Sequence, residues 1–145
     1  MFKLPEDRLY SDNHLWVKKK RQKLARIGVT DYFSLKNLEV IEIDLPEEEE
    51  VFEKDEIFGS IETVEEVFDL IMPVSGKIVA VNEKVLEDVD ILNEDPYIEG
   101  WLVEVKLLNP SELDELLPPE DYEIKFLEEA EEITEEKLIE EEEEE

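Results

Sequence analysis

Four carboxylates fall within eight residues of one another, and their spacing is the feature of this sequence that could do chemistry. They are Glu62, Glu65, Glu66 and Asp69. Such a group could hold a metal ion, contact the basic surface of a partner protein, or form a solvated charged surface. Because side chains alternate along a strand, they rarely converge into a complete cage of oxygen ligands. The sequence therefore predicts no metal site, and the four residues remain candidates for contact with a protein partner.

Groups that commonly act as nucleophiles or bases are scarce. The chain has no cysteine, which excludes disulfides, thiolate chemistry and cysteine-bound metals. His14 is its only histidine, and no serine lies in a motif typical of an activated nucleophile. We interpret His14 as a structural residue near the first strand. The sequence thus indicates a protein that is not an enzyme.

The one concentrated positive patch is KKKRQK at residues 18–23. Three interpretations stay open. The patch is a charged turn between a strand at Trp16 and a strand at Leu24, a docking site for an acidic partner, or a site that pairs with the acidic C-terminal tail of this chain.

Charge and hydropathy limit the classes of function. The net charge is −29 over 145 residues, and residues 128–145 hold twelve Glu and one Lys. A surface this negative repels phosphate, so we expect no sequence-independent binding to nucleic acid. No apolar run approaches about 20 residues and no signal-peptide core begins the chain, so we expect a cytoplasmic protein without a membrane span.

Most of the first 108 residues have the period-two pattern of half-buried strands. The clearest are residues 24–29, 40–45 and 101–107, and in the second we expect Ile41, Ile43 and Leu45 on one face. Between the first two strands, Thr30 and Asp31 are placed to cap a short helix that runs to about Asn37.

The pattern changes to helical after Leu108. Asn109, Pro110 and Glu112 fit a capped helix start with a capping-box acid. Pro118-Pro119 ends that helix and starts a second, with an apolar stripe of Tyr122, Phe126, Ala130 and Ile133. We therefore divide the chain into a domain at 1–127, with C-terminal helices from about 110, and an acidic tail at 128–145 that is helical to disordered.

A weak internal repeat relates two segments of the chain. VFEKDEI at residues 51–57 recurs 34 residues later as VLEDVDI at residues 85–91. Repetition at a fixed offset suggests two similar β-units that share one core.

The segment 57–81 reads IFGSIETVEEVFDLIMPVSGKIVAV and resembles the lipoyl-attachment segment of glycine cleavage system H proteins. Four further matches to that family lie in order along the chain, so the resemblance covers about residues 8–127. They are HLWV at 14–17, IGVTD at 27–31, NEDPY at 93–97 followed by GWLV at 100–103, and NPSEL at 109–113.

This resemblance implies a mainly β fold. The family has a flattened β-barrel or sandwich of two similar halves, the lipoyl-domain-like hammerhead, with a short internal helix and C-terminal helices. The strand patterns, the repeat and the helical C-terminal part agree with it.

The resemblance also implies a carrier role, and here the sequence departs from the family. In H proteins a lysine at the tip of a hairpin is amidated by lipoate, and the arm carries an aminomethyl group between a pyridoxal-phosphate decarboxylase and a folate-dependent transferase. A flavoprotein dehydrogenase reoxidises the arm. Alignment of residues 62–64 with the family's Glu-Ser-Val places Glu65 at the lysine position. A carboxylate cannot form that amide, Lys54 and Lys77 lie outside the hairpin, and the repeat offset maps Glu65 onto Glu99.

Other positions linked to the arm differ as well. Leu15 replaces an acidic residue of the family, and Tyr32 and Lys36 stand near its helix histidines, whereas Asp69 is retained. From these departures we expect that lipoate and the aminomethyl chemistry are absent.

These departures lead to one functional hypothesis and two alternatives. The hypothesis is an H-like protein without lipoate that acts as a non-catalytic binding or regulatory module for proteins of the glycine cleavage or lipoate-handling machinery. Its candidate contact residues are the four carboxylates at positions 62–69. The first alternative is the classical aminomethyl carrier, lipoylated at an unorthodox lysine. The second, an acidic enzyme that uses paired carboxylates, has no supporting motif.

Overall fold

The computed structural model describes residues 3–126, which form two antiparallel sheets joined by short helices. The larger sheet has the order β1-β2-β3-β9-β8-β5 and the smaller has β4-β6-β7. The strands are β1 Leu9–Tyr10, β2 Leu15–Arg21, β3 Leu24–Val29, β4 Val40–Asp44, β5 Val51–Phe52, β6 Ile57–Thr63, β7 Val67–Ile71, β8 Gly76–Val81 and β9 Trp101–Leu107. The helices are α1 Tyr32–Leu35, α2 Glu83–Glu87, α3 Ile91–Glu94, a 3-10 helix Pro110–Glu115, and α4 at 119–126.

One apolar core joins the inner faces of the two sheets. Ile27 and Val103 from the larger sheet and Ile61 from the smaller are all fully buried in it. Burial of this much apolar surface is the main stabilising contribution to such a fold. The expected mainly β architecture is confirmed. Among the described residues the sheets do not close into a barrel.

A second, aromatic cluster lies on the outer face of the larger sheet and holds the C-terminal helix. Trp16, Tyr10 and Tyr122 are its buried members, and Phe126 packs against them. The predicted stripe of the second helix is therefore confirmed at Tyr122 and Phe126. Its continuation at Ala130 and Ile133, and the predicted tail at 128–145, lie outside the described residues.

The charged segment 18–23 is a hairpin turn, but the strands extend further into it than the sequence suggested. β2 continues through Arg21 and β3 begins at Leu24. Lys18 pairs with Arg26 across the two strands, and Arg26 pairs with Glu104 on β9. Lys20 and Arg26 both form ion pairs with Glu104, and the distance from Arg26 Nε to Glu104 Oε1 is 2.7 Å. These ion pairs stabilise the arrangement.

The predicted face of β4 is wrong at Ile41. A register shift between Val40 and Glu42 interrupts the pairing with β6. A bulge of this kind turns the extra residue out of the alternation. Val40 and Ile43 are buried, whereas Ile41 is 48% exposed.

The predicted capping box after Asn109 is also wrong. The segment forms a 3-10 helix, and Asn109 makes no side-chain capping bond. The Glu112 carboxylate instead accepts hydrogen bonds from the backbone N–H and the hydroxyl of Ser75, at 2.8 and 2.9 Å. Glu112 therefore ties the C-terminal part of the chain to the β7–β8 connection.

The two repeat segments do not form similar units. Val51 lies in β5, whereas Val85 is buried in helix α2. Their shared pattern therefore reflects recurring acidic and apolar residue types, not a common local structure, since Val51 is 57% exposed and Val85 is fully buried.

Two smaller features complete the fold. Helix α1 is shorter than predicted and ends at Leu35; its first N–H, that of Tyr32, donates to the Thr30 hydroxyl at 3.3 Å, whereas the side chain of Asp31 makes no capping bond. Within residues 3–126, no helix is long and apolar enough to cross a bilayer.

Candidate functional site at the β6–β7 hairpin

The hairpin between β6 and β7 presents two of the four predicted site residues, Glu65 and Glu66, at its tip. The last cross-strand pair is Glu62 with Val67, and residues 63–66 make the turn. The backbone N–H and the hydroxyl of Thr63 both donate to the carbonyl of Glu66 at 2.9 Å. The same hydroxyl accepts the N–H groups of Glu65 and Glu66. A buried threonine therefore holds the tip in a defined shape, a role that sequence reasoning did not assign to it.

The tip is exposed, and it is apolar as well as acidic. Val64 and Val67 are each 60% exposed, and Glu65 and Glu66 lie between them in solvent. The N–H of Val64 donates to the carbonyl of Glu39 at 3.2 Å, which anchors the turn to the connection before β4. Exposed apolar side chains flanked by charges are typical of contact surfaces in proteins.

The other two predicted residues lie on the outer face of the same sheet. Asp69 pairs with Ser60, and Glu62 follows Ser60 by two residues, so all three point to one side. The register adds two acids that the prediction of the site had missed, because Glu42 pairs with Glu62 and Asp44 with Ser60. Alternation on β4 had placed Glu42 and Asp44 on one face, but only the register shows that they join the hairpin.

These residues define what we call the acidic face. It consists of Glu42, Asp44, Glu62, Glu65, Glu66 and Asp69. An open groove of about 690 Å³ continues from it, with Phe52, Ile57 and Phe58 among its apolar lining and Glu47 and Glu50 at its rim. A partner that docks here would meet apolar contacts surrounded by negative charge.

The acidic face lacks the geometry of a metal centre. Among residues 3–126, no group of three or more His, Asp or Glu side chains is arranged to hold a metal ion. The carboxylates follow the outer face of the sheet instead of converging on a point. Their arrangement suits recognition of a basic surface.

No amine lies on the hairpin. The sequence contains no lysine between Lys54 and Lys77. Lys54 precedes β6 and pairs with Glu115 at 2.9 Å, and Lys77 lies in β8 and pairs with Glu49 at 2.8 Å. Because β6 rises about 3.3 Å per residue, its seven residues place Lys54 roughly 20 Å from the tip.

His14 lies in the aromatic cluster. Its ring stacks on Tyr32 with centroids 3.7 Å apart, and its Nδ1 is 2.6 Å from the hydroxyl of Tyr122. The backbone φ of His14 is +65°, a left-handed conformation that a tight turn requires. This environment agrees with the structural role expected for His14.

The positions that differ from the family motif around His14 are packed. Leu15 and Tyr32 are buried in the core, and Lys36 lies 4.8 Å from the centre of the Tyr32 ring. The neighbouring Asp31 accepts a hydrogen bond from the hydroxyl of Tyr97 at 2.9 Å. Burial raises the pKa of Asp31 above its ordinary range despite that bond.

Comparison with known proteins agrees with this fold. Residues 8–130 match the model of the family described as glycine cleavage H-protein. The chain belongs to the glycine cleavage H-protein family. The glycine cleavage system H protein of Carboxydothermus hydrogenoformans is 44% identical over 126 residues, which are 87% of this chain and 95% of that protein. That of Halothermothrix orenii is 38% identical over 128 residues, which cover 88% and 98% of the two chains.

A solved structure of the family has the same fold. The crystal structure of a glycine cleavage system H protein from Mycobacterium marinum matches with a TM-score of 0.74 and 31% sequence identity, and the match covers 84% of this chain and 98% of that one. The family membership inferred from the motifs is therefore confirmed.

Proposed function

We propose that this chain is a member of the H-protein family that carries no lipoate and works as a binding or regulatory module. The observation that carries the proposal is the composition of the hairpin tip, Val64-Glu65-Glu66, which offers no amine for amide formation. Alignment with the family's Glu-Ser-Val motif puts Glu65 where the lipoyl-lysine would stand. No cofactor and no catalytic turnover are then expected of this protein.

The form of the hairpin supports a role in binding. The hydroxyl of Thr63 holds the turn, and the valines on either side of Glu65 and Glu66 remain exposed. In a carrier this projection would bring the arm into the clefts of partner enzymes. Without the arm, the shape of the tip and the charge of the acidic face are what a partner can recognise.

The partners that fit are proteins that recognise H proteins, namely those of the glycine cleavage or lipoate-handling machinery. Charges at the rim of an interface mainly set the encounter rate and its salt dependence, while apolar contacts at the centre contribute most of the affinity. The acidic face supplies the rim charges, and the exposed Val64 and Val67 beside it supply the apolar contacts. The complementary surface on such a partner would be a basic groove.

The test is binding to the purified enzymes: the decarboxylase, the folate-dependent transferase, the flavoprotein dehydrogenase and a lipoate ligase. We expect wild type to bind at least one of them, and Glu65→Ala plus Glu66→Ala to weaken the association about tenfold at low salt, with a smaller difference at high salt. The control is Glu87→Ala plus Asp114→Ala, which removes the same charge from exposed sites elsewhere. Equal affinities of the two variants would place the interface away from the tip.

The classical carrier role is the second candidate. The observation in its favour is that this chain matches 95% and 98% of the length of two relatives that are glycine cleavage system H proteins. It requires lipoylation at a lysine other than one on the hairpin. The mass of the native protein separates the two candidates, as described below.

A further inference from the structure

The outer face of the larger sheet has a basic end. An open groove there is lined by Arg21, Gln22, Lys23, Leu24, Val79 and Lys106. Leu24 pairs with Lys106 across β3 and β9, so the two side chains share one face of the sheet. We call this surface the basic groove. It places cations around apolar side chains on a protein whose net charge is −29.

The cations of the basic groove have no acidic partner in the described chain. Nearby, Lys18 forms an ion pair with Asp7, and Lys20 and Arg26 both pair with Glu104. Within residues 3–126, no ion pair is formed by Lys19, Arg21, Lys23 or Lys106. Like charges held together without counter-charges are unfavourable, so an anionic occupant would stabilise this end of the sheet.

The described chain ends on the same face of this sheet. Phe126 packs on the aromatic cluster around Trp16. Trp16 alternates with Lys18 and Lys20 along β2, so its side chain and theirs point to the same side. Phe126, the last described residue, therefore lies on the surface that carries the basic groove.

The C-terminal segment has the charge and the length to reach the groove. Residues 128–145 contain twelve Glu and one Lys, and their apolar residues include Ile133, Leu138 and Ile139. The distance along β2 from Leu15 to Arg21 is about 20 Å. Seven extended residues after Phe126 span about 23 Å, and 13 helical residues cover about 20 Å. In either form the segment can place carboxylates beside Arg21 and Lys23.

We propose that the glutamate-rich C-terminal segment, residues 128–145, docks in cis into the basic groove formed by Arg21, Lys23, Leu24, Val79 and Lys106. Its carboxylates pair with the three cations, and its apolar side chains cover Leu24 and Val79. The segment then occupies this concentrated basic surface and competes there with acidic partners. The inference is independent of whether the hairpin tip carries lipoate.

The experiment uses the full chain and a spin label. Because the sequence has no cysteine, Glu141→Cys gives a single labelling site within the segment. In a dilute ¹⁵N-labelled sample, we expect the amides of Arg21, Lys23 and Lys106 to be broadened more than those of helix α2. Exposed ion pairs are screened by salt, with a Debye length of about 3 Å at 1 M, so the broadening should disappear at that concentration.

Two matched variants sharpen the result. The groove variant is Arg21→Gln, Lys23→Gln and Lys106→Gln, and the control is Lys3→Gln, Lys54→Gln and Lys84→Gln, with the same change of charge. Each exposed pair contributes a factor of about two, so the groove variant should lower the docked-to-undocked ratio about eightfold. The control should retain it.

Three results would overturn the proposal. The first is broadening at the groove that does not exceed broadening at helix α2. The second is the same loss in the groove variant and in the control. The third concerns a mixture of two chains, one spin-labelled at natural nitrogen abundance and one ¹⁵N-labelled without a spin label. Broadening that appears only in this mixture would identify a second copy of the chain as the occupant.

Discussion

Glu65→Lys is expected to change this protein from a chain that a lipoate ligase leaves unmodified into one that it modifies at a single site. The substitution supplies an amine at the exposed tip, and the turn that presents it is formed by Thr63 and not by the carboxylate of Glu65. The measurement is intact mass after incubation with a ligase, lipoate and ATP, followed by peptide mapping. An H protein from a relative is the positive control.

The design includes variants that separate position from charge. Glu66→Lys moves the amine by one residue at the same charge. We expect far less modification of this variant, because Glu65 is the residue that the family motif aligns with lysine. Glu65→Lys plus Glu66→Ala removes the neighbouring acid, in case it weakens recognition by the ligase. If neither Glu65→Lys variant is modified while the positive control is, the alignment of Glu65 with the lipoyl-lysine is contradicted.

Gly28→Ala is expected to lower the free energy of unfolding by about 3 kcal/mol, since overpacking a tight core contact costs on this order. A Cβ at Gly28 would lie 2.5 Å from Cε2 and 2.8 Å from Nε1 of Trp16. The indole has little freedom to move, because Trp16 Nε1 donates to the carbonyl of Pro96 at 3.1 Å and Arg8 lies 4.5 Å from the ring centre. For a domain of this size the melting temperature should fall by about 10 °C.

A double-mutant cycle shows whether contact with the indole is the cause. In a Trp16→Phe background the ring is smaller, so the methyl group of Gly28→Ala should cost markedly less than in wild type. Urea unfolding of the four proteins gives the coupling. Costs that simply add would mean that Gly28 is required for a reason other than its contact with Trp16.

Local patterns predicted those parts of the fold that depend on local chemistry. Alternation gave β3 at residues 24–29 and β9 at 101–107, and the charged segment 18–23 gave a hairpin turn. The two strands each have buried residues at alternating positions and therefore a clear period of two. The family motifs gave the fold class, which the two-sheet structure confirms.

Features that depend on distant pairing were not predictable from the sequence. The bulge that exposes Ile41 arises from the register between β4 and β6, and Glu112 finds Ser75, which lies 37 residues away along the chain. The same limit applies to the site. The four carboxylates at positions 62–69 were visible as a cluster, whereas Glu42 and Asp44 join them only through strand pairing.

The central claim is that the native protein carries no lipoyl group, and the most direct test is the intact mass of the protein purified from its own source. We predict the mass of the unmodified chain, together with tryptic and Glu-C peptides in which every lysine is free. A mass increase equal to one lipoyl group, mapped to any lysine of the chain, would contradict the account and establish the classical carrier role.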